Sequence, residues 1–336
     1  MQQILSVTTI SILILFNFQL IYSQFTPFRF RIITWNVGNS EPDCNIFEHL
    51  AFSSASSSTN ADLIVFGFQE ASKKLIGSNS FRKTLTKCLK NKNYIELLSD
   101  YVGSNINRPI WLYIYILNKT MQSQRVNILT LNTERTLKIY QDKILEKYIG
   151  YKGIIASRIQ IDKLTNIIFA NMHLPAGEGK IEERCKLLSK FLRTYHQIDG
   201  IKDDYMFIFG DQNWRTLKNL SINNILEAIK KHEYKIILDN DELTQMRKNK
   251  TTQCLEDFFE ASIKFPPTYK YEVNSDEYQT EKNHEDRRPS YTDRILISDR
   301  SKDLKIIQYA ALNDIKLSDH RPVFADFMLY PKTKHE

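Results

Sequence analysis

The sequence predicts an α/β fold in which two packed β-sheets lie between outer helices. Short runs of β-branched and aromatic residues recur along the 336 residues, each with the length of a strand. A few longer segments have the periodicity of amphipathic helices instead. No internal repeat and no linker rich in Pro or Gly divides the chain, so we expect one large domain.

Strands are predicted where the β-branched and aromatic residues cluster. The segment 63–68 reads Leu-Ile-Val-Phe-Gly-Phe, which indicates a buried strand. In chain order the predicted strands are residues 28–35, 63–68, 110–117, 126–131, 154–161, 166–172, 205–209, 294–297 and 322–327.

The clearest predicted helix follows His173. Apolar residues recur there at helical spacing, with Lys and Glu between them, namely Ile181, Cys185, Leu188, Leu192 and Tyr195. Residues 81–88 and 222–229 are predicted as further helices. Many strands with a few interleaved helices favour helices on the outer faces of the sheets.

The amino-terminal segment has the composition of a targeting sequence. Residues 1–24 contain no Lys, Arg, Asp or Glu, and an apolar stretch extends from residue 10 to residue 21. That length suits the core of a signal peptide and is short for a membrane span. We therefore expect a signal peptide over residues 1–23, a mature domain over residues 28–330, and secretion. The alternative is an uncleaved leader that anchors the protein in a membrane.

The net charge indicates the class of partner, and the cysteines bear on the cellular compartment. The net charge of +7 favours polyanionic partners, which include nucleic acid, anionic lipid and highly phosphorylated small molecules. The four cysteines form neither a CxxC pair nor a zinc-binding spacing. One or two disulfides are possible in an oxidising compartment, and buried free thiols are the alternative. These cysteines are Cys44, Cys88, Cys185 and Cys254.

Polar side chains follow several predicted strands, at the point where each strand ends. Asn36 and Glu70 each come after an apolar run. Magnesium prefers a few hard oxygen ligands and keeps water and phosphate oxygens as the others. Asn36 and Glu70 are therefore candidate Mg²⁺ ligands. The alternative for Glu70 is a solvated loop residue.

The segment Gly-Asp-Gln-Asn-Trp repeats this arrangement after the predicted strand 205–209. Asp211 and Asn213 lie two residues apart and therefore emerge on the same side. The carboxylate could take a proton from water, and the amide could hold that water or the developing charge. An ordinary turn is the alternative, because Gly, Asp and Asn are common turn residues.

Two histidines stand near predicted strand ends. His173 follows an apolar run, and His320 precedes the last predicted strand. A lone His in such a place is more often structural, but two of them beside Asp293 indicate imidazoles held by carboxylates, which can stabilise a transferring phosphoryl group. The sequence lacks the zinc, P-loop, dinucleotide-binding and GxSxG patterns, which argues against those classes.

These clusters occur in the order TWNVGN, FGFQE, NMHLPAGEGK, FGDQNWR, RRPSYTDRIL and SDHRPV. Together they resemble the endonuclease/exonuclease/phosphatase superfamily. FIFGDQNWR, RRPSYTDRIL and FPPTYKY are similar to the signatures of its inositol polyphosphate 5-phosphatase branch. The resemblance covers almost the whole mature chain. It implies a DNase I-like fold, a four-layered sandwich of two mostly antiparallel sheets flanked by helices.

The resemblance also implies an activity and a set of site residues. The implied activity is Mg²⁺-dependent removal of the 5-phosphate from inositol polyphosphates or from phosphoinositides such as phosphatidylinositol 4,5-bisphosphate. Asn36 and Glu70 match the Mg²⁺ site. The matched catalytic residues are His173, Asp211, Asn213, Asp293 and His320. The matched substrate-binding residues are Tyr269, Lys270, Arg287 and Arg294, and Arg294 is expected to support the loop that carries them.

Two positions depart from the family pattern. Tyr151 stands where Asn is frequent, and Glu285 and Asp286 stand where a Lys is common. The second departure weakens binding of a neighbouring 4-phosphate or transfers it to cations such as Lys270 and Arg287. The preferred headgroup is therefore less well defined by the sequence than the type of reaction.

Two other functional classes stay open. A nuclease or a secreted sphingomyelinase could use the same fold, although the PTYK and RxPSYTDR segments argue against both. A non-catalytic ligand or haem carrier could use a Cys or a His as axial ligand. The expected partners are inositol phosphates or phosphoinositide headgroups and an anionic membrane surface. No nucleic acid partner is expected, and the protein is expected to be a monomer.

Overall fold

The computed structural model describes residues 26–53, 60–71, 81–103, 108–131, 133–141, 152–198, 203–249, 254–282, 285–298 and 302–330. Two packed β-sheets with helices on their outer faces make up this part of the chain, which confirms the predicted fold class. The predicted signal peptide, residues 1–23, lies outside the described residues. No helix in the described ranges is long and apolar enough to cross a membrane.

The strands follow one another along the whole described chain. They are β1 (Phe28–Asn36), β2 (Leu63–Gln69), β3 (Tyr94–Val102), β4 (Ile110–Leu117), β5 (Val126–Leu129), β6 (Leu137–Tyr140), β7 (Gly153–Ile161), β8 (Thr165–His173), β9 (Tyr205–Asp211), β10 (Phe259–Glu260), β11 (Glu281–Lys282), β12 (Glu285–Asp286), β13 (Asp293–Ile297), β14 (Leu304–Ala311) and β15 (Val323–Leu329). The helices are α1 (Cys44–Phe52), α2 (Phe81–Asn91), α3 (Asn118–Gln122), α4 (Ile181–His196), α5 (Ile222–Lys230), α6 (Tyr234–Leu238) and α7 (Glu242–Asn249).

One sheet has the order β14-β15-β1-β2-β4-β3. The other has the order β10-β13-β9-β8-β7-β5, with β6 also paired to β7. Most neighbours are antiparallel, but β1 with β2 and β8 with β9 are parallel. The carboxyl ends of adjacent parallel strands meet at one edge of a sheet, so each parallel pair brings two loops together there.

The core between the two sheets is aromatic at its centre. The rings of Phe30 and Phe327 stack with their centroids 5.0 Å apart, and Phe207 meets both rings edge-on at 5.4 and 4.9 Å. Two further apolar clusters cover the outer faces. α1 and α2 pack on the first sheet, and α4 and α7 pack on the second. The sheets are therefore fixed on both faces, as a four-layered sandwich requires.

The sequence pattern did not predict β3, β6 and β14, nor the two-residue strands β10, β11 and β12, of which β11 and β12 pair with each other in a separate small sheet. β3 and β14 lie at the two edges of the first sheet, and β6 pairs only with β7. Their side chains are mostly half-buried, so these segments mix polar with apolar residues and lack a continuous apolar run. The predicted strands and helices are present, with ends that shift by a few residues.

All four cysteines are paired. Cys44, at the start of α1, is bonded to Cys88 in α2, with Cα atoms 5.4 Å apart. Cys185 in α4 is bonded to Cys254, with Cα atoms 5.3 Å apart. The structure thus selects two disulfides from the alternatives that the sequence left open. The first disulfide joins α1 to α2 on the outer face of the first sheet, and the second joins α4 to Cys254 on the outer face of the second sheet.

Gly210 allows β8 and β9 to approach each other. Its φ of +139° lies in the range that favours glycine, and a Cβ atom there would stand 2.0 Å from the carbonyl oxygen of Met172. Any other residue would push the two strands apart. The glycine therefore sets the distance between the next residues on these strands, His173 and Asp211.

Candidate active site

Strand register brings the predicted polar residues to one end of the two sheets. In the second sheet Asp211 is the register partner of His173 on one side and of Asp293 on the other. In the first sheet β1 ends at Asn36, and Glu70 follows β2 directly. These positions are far apart in sequence and adjacent in space, so the structure joins them into one site.

Asp211 lies at the centre of this site and is buried. Its Oδ2 accepts a hydrogen bond from Asn36 Nδ2 at 3.0 Å and lies 3.2 Å from His173 Nε2. Its Oδ1 accepts from the backbone N–H of Asn213 at 3.1 Å. Burial alone would raise the pKa of Asp211, but His320, His173 and Lys152 outweigh it, so that pKa lies well below its usual range. Asp211 is therefore ionised.

Asp293 orients His320 and keeps it protonated. Asp293 Oδ2 lies 2.9 Å from His320 Nδ1 and also accepts hydrogen bonds from Thr268 and Thr292. Burial would lower the pKa of His320, but Asp293 and Asp211 raise it to about 10. A doubly protonated imidazole therefore faces the site, with Nε2 3.9 Å from Asp211 Oδ2.

Lys152 is a site residue that the sequence analysis missed. It precedes β7, its side chain is buried, and its Nζ contacts His173 Nε2. Burial lowers the pKa of Lys152 to about 8, although the carboxylates of Asp211 and Glu70 oppose that shift. Burial and Lys152 together lower the pKa of His173. The signal in the sequence was a lysine directly before an apolar strand whose first residue pairs with His173.

Asn213 and Arg215 extend the site toward Tyr269. Asn213 has a φ of +58°, an unusual backbone conformation, and its Nδ2 donates to the carbonyl of Leu174 at 3.0 Å. Arg215 is a second site residue that the sequence analysis did not identify. It contacts Asn213 Oδ1, and its Cζ atom lies 4.5 Å from the centre of the Tyr269 ring. The Tyr269 ring is in turn 4.4 Å from the ring of His320. An aromatic and cationic wall therefore lines this side.

Glu70 is partly exposed at the mouth of the site. Its φ is +56°, and its Oε2 lies 2.5 Å from Nη1 of Arg108. Its other oxygen is 4.0 Å from His173 Nε2. Burial would raise the pKa of Glu70, but His173, Arg108 and Lys152 lower it below its ordinary value. The carboxylate is ionised and surrounded by positive charge.

Lys270 follows Tyr269 directly along the chain, and Arg287 is half-buried. The ammonium group of Lys270 contacts Asp319 Oδ2, and the backbone N–H of Arg287 donates to the carbonyl of Thr280. The backbone of Glu285 and of the residue that follows it forms β12, and the side chains of both lie outside the described residues. The expected effect of these two acidic side chains on substrate choice therefore stays a prediction.

The structure does not support a substrate contact for Arg294. Its guanidinium is buried and forms ion pairs with Glu260 at 2.5 Å and with Asp241 at 3.1 Å. Successive side chains of a strand point to opposite faces, so Arg294 faces away from the side on which Asp293 meets His320. These ion pairs tie β13 to β10 and to Asp241, the residue before α7.

In the described part of the chain, one group of His and Asp side chains has the spacing of a metal site. Oxygen atoms of Asp211 and Asp293 and a ring nitrogen of His320 lie within 4.8 Å of one another. Within this group, one direct hydrogen bond joins His320 Nδ1 to Asp293 Oδ2 at 2.9 Å. Asp211 Oδ2 lies 3.9 Å from His320 Nε2, beyond hydrogen-bonding distance.

Comparison with known proteins defines the class. Residues 33–326 match the endonuclease/exonuclease/phosphatase family 2, and the chain belongs to this family. It is 28% identical over 329 residues to mouse (Mus musculus) phosphatidylinositol 4,5-bisphosphate 5-phosphatase A, which covers 90% of this chain and 31% of that relative. The chain thus spans about a third of that protein's length.

A second relative is matched over most of its length. Type IV inositol polyphosphate 5-phosphatase 11 of Arabidopsis thaliana is 27% identical over 312 residues, which covers 92% of this chain and 84% of the relative. The inositol polyphosphate 5-phosphatase domain of SPsynaptojanin, solved with inositol (1,4)-bisphosphate and calcium, shares the fold. Its TM-score is 0.69 at 24% identity, with 93% of this chain and 89% of that chain covered.

The same fold occurs in a protein of another class. Cimex nitrophorin, solved as a ferrous NO complex, has a TM-score of 0.69 at 20% identity, with 90% of this chain and 99% of that chain covered. The fold by itself therefore does not separate a hydrolase from a ligand carrier. The side chains at the end of the sheets must decide between them.

The protonated state of His320 predicts a pH-dependent stability difference. The folded-state pKa, about 10, lies above the ordinary value of 6.5, so the stabilisation is complete below about pH 6.5 and is lost as pH rises through about 10. The difference in unfolding free energy between wild type and His320→Gln should shrink by about 1.4 kcal/mol per pH unit in that range. Urea unfolding measures it, with the exposed His196→Gln as control. A constant difference would mean that His320 is neutral in the folded protein.

Proposed function

We propose that this protein is a Mg²⁺-dependent phosphomonoesterase that removes the 5-phosphate from inositol polyphosphates or phosphoinositides. The observation that carries the proposal is the ionised Asp211 at the centre of the site, with His173 and the protonated His320 on either side. A phosphate needs both a base for water and cations for its oxygens. The named relatives are inositol phosphatases, which supports this choice.

Glu70 and Asn36 are the residues that would hold the divalent ion. Both offer oxygen atoms, which magnesium prefers, and Glu70 reaches the surface of the site with an ionised carboxylate. The amide nitrogen of Asn36 donates to Asp211, and its oxygen accepts from the backbone N–H of Gly38 at 3.1 Å, which leaves one lone pair of that oxygen for a metal ion. When bound, the ion would neutralise negative charge on the phosphate.

Asp211 is proposed to accept the proton of the attacking water. In the free protein its low pKa makes it a weak base. A bound phosphate would draw the positive charge of His320 and Lys152 onto its own oxygens, which would raise the pKa of Asp211. The carboxylate could then take the proton as the water oxygen bonds to phosphorus and the bond from phosphorus to the inositol oxygen breaks. The leaving inositol oxygen would become a hydroxyl group by taking a proton from solvent.

Cations on both sides of Asp211 are proposed to hold the phosphate oxygens. His320 contributes a fixed positive charge because Asp293 holds its other ring nitrogen. On the opposite side, Lys152 is buried against His173 and carries an exchangeable proton near neutral pH. Charges that are already in place need no reorganisation in the transition state, and this is a major source of catalysis.

Tyr269 and Lys270 are proposed to bind the inositol ring and a neighbouring phosphate. Tyr269 packs against His320, so a substrate with its 5-phosphate at the histidines would lie beside this ring. Lys270 follows Tyr269 along the chain, and Arg287 is the second cation that the sequence predicts to contact the substrate. A second phosphate there would form charge-assisted hydrogen bonds with these cations.

The side chains weigh against a haem carrier. All four cysteines are in disulfides, so none can serve as a thiolate ligand. His320 is held by Asp293, and His173 is buried between Lys152 and Asp211. Nε2 of His173 already contacts both Lys152 and Asp211, so this nitrogen is not free to bind iron. A hydrolase uses such ionised groups in catalysis, which explains why they are buried together although removing them from water costs free energy.

Secretion is the proposed location, and residues 28–330 are the proposed catalytic domain. Disulfides persist in oxidising compartments and are rare in the cytosol, so the two bridges support the signal peptide that the sequence predicts. Anchoring by an uncleaved leader is the alternative. The net positive charge of +7 would favour contact with anionic membrane surfaces in either case.

Replacing Asp211 should separate chemistry from binding. Asp211→Asn should abolish phosphate release across a panel of inositol phosphates and phosphoinositides with Mg²⁺, because the amide cannot accept the proton of water. Binding of a 4,5-bisphosphate substrate, measured by calorimetry, should change little. Asp204→Asn, just before β9 at its opposite end, is the matched control. Unchanged turnover, or loss of binding alone, would remove Asp211 from this role.

Replacing Lys270 should test the choice of headgroup. Lys270→Ala should lower kcat/KM by about one to two orders of magnitude on a substrate with adjacent 4- and 5-phosphates, because one charge-assisted contact is lost. The loss should be much smaller on a substrate without the 4-phosphate. Lys316→Ala, which breaks another Lys–Asp pair, is the control. Equal losses on both substrates would show that Lys270 is structural.

The leader should be removed on export. Full-length protein expressed in a eukaryotic secretory host should appear in the medium, with its amino terminus near residues 21 to 25. The reason is the short uncharged apolar stretch followed by small and polar residues. Amino-terminal sequencing of protein from the medium measures this. A chain that begins at Met1 and stays with membranes would favour the anchored alternative.

A further inference from the structure

Arg108 binds Glu70 at the mouth of the candidate site through more than one contact. Its Nη1 lies 2.5 Å from Glu70 Oε2. When the Asn39 amide is oriented to satisfy both of its ends, its oxygen accepts hydrogen bonds from Arg108 Nε at 3.0 Å and Nη2 at 3.2 Å. The amide nitrogen of Asn39 then donates to the backbone carbonyl of Glu70 at 3.2 Å. The guanidinium is therefore held in one place by two residues.

The backbone conformations show that this arrangement is specified locally. Glu70, Asn39 and Arg108 have φ values of +56°, +63° and +36°, and none of them is glycine. Such conformations cost free energy and persist where surrounding structure requires them. The backbone N–H of Asn39 also donates to the carbonyl of Glu70 at 3.1 Å. The three residues thus form one small unit, and Glu70 in it lies 4.0 Å from His173 Nε2.

We propose that Arg108 competes with the divalent cation for the carboxylate of Glu70 and thereby weakens metal binding. The inference rests on the proposed function, in which Glu70 is a metal ligand. Arg108 occupies Oε2, one of the two oxygen atoms that Glu70 can offer. A cation that takes this atom must displace the guanidinium, and the positive charge of Arg108 also repels the cation. Arg108 therefore sets the metal concentration at which the site fills.

Both effects of Arg108 act in the same direction, so the sign of a substitution is defined. Removing the guanidinium frees Oε2 and removes a neighbouring positive charge, and each change favours the cation. The Arg108 side chain is 52% exposed, so solvent screening limits the size of the effect. An alternative in which Arg108 merely orients Glu70 for the metal predicts the opposite sign, which makes the two readings separable.

The experiment is a calorimetric titration of MgCl₂ into EDTA-treated full-length protein without substrate. Arg108→Gln should tighten Mg²⁺ binding by roughly three- to tenfold. The matched control is Arg82→Gln, which breaks an ion pair of similar geometry and exposure with Glu96, 2.5 Å long with side chains 55% and 16% exposed. Arg82→Gln should leave the Mg²⁺ affinity unchanged. Asn39→Ala, which loosens Arg108 without a change of charge, should shift the affinity in the same direction by less.

Weaker or unchanged Mg²⁺ binding in Arg108→Gln would overturn the proposal. A Glu70→Gln variant keeps this outcome distinct from a failure of the proposed function. If Glu70→Gln abolishes Mg²⁺ binding while Arg108→Gln has no effect, the metal site stands and the competition is wrong. If Glu70→Gln binds Mg²⁺ like the wild type, Glu70 is not a ligand and both proposals fall. Circular dichroism of each variant verifies that the fold is kept.

Discussion

The candidate site is organised around the charge of one buried carboxylate, that of Asp211. An ion removed from water costs several kcal/mol unless partners surround it. Here Asn36 donates to it from the first sheet, His173 lies beside it on the neighbouring strand, and the backbone of Asn213 donates to it from the following turn. Those groups come from both sheets, so satisfying one charge holds the two sheets at a defined distance where they meet.

The strand arrangement makes this possible. Parallel pairing of β8 with β9 places His173 beside Asp211, and antiparallel pairing of β9 with β13 places Asp293 on the other side. A polar link joins the two sheets within the core, where the buried Gln69 donates to Asn171 at 2.7 Å. Buried amides that find partners fix one relative position of the sheets, because any slip would leave them unpaired.

Positive charge surrounds the carboxylates unevenly. On one side His320 is fixed in its charged form by Asp293, and on the other Lys152 lies buried against His173. Glu70, nearer to solvent, is paired with Arg108. A site of this composition has ionised oxygens inside and cations around them, so it suits a ligand that brings both a phosphate and a compensating metal ion.

The sequence by itself determined the class of fold, most of the central strands and the identity of the principal polar residues. The apolar runs of β2 and β9 indicated buried strands, and polar residues at the ends of such runs are expected to emerge at a sheet end. Glu70 and Asp211 could be named for this reason. Edge strands such as β3 were not predicted, because half-buried segments lack a continuous apolar run.

Only the tertiary structure decided which ends meet and what state each group has. Lys152 lies in the site because β7 pairs with β8. Arg294 lies outside it because its side chain points to the other face of β13. Disulfide pairing and the contact of Arg108 with Glu70 likewise depend on contacts between distant segments. Periodicity along a chain reports which residues are buried, whereas register between strands reports which residues are neighbours, and register exists only in the folded protein.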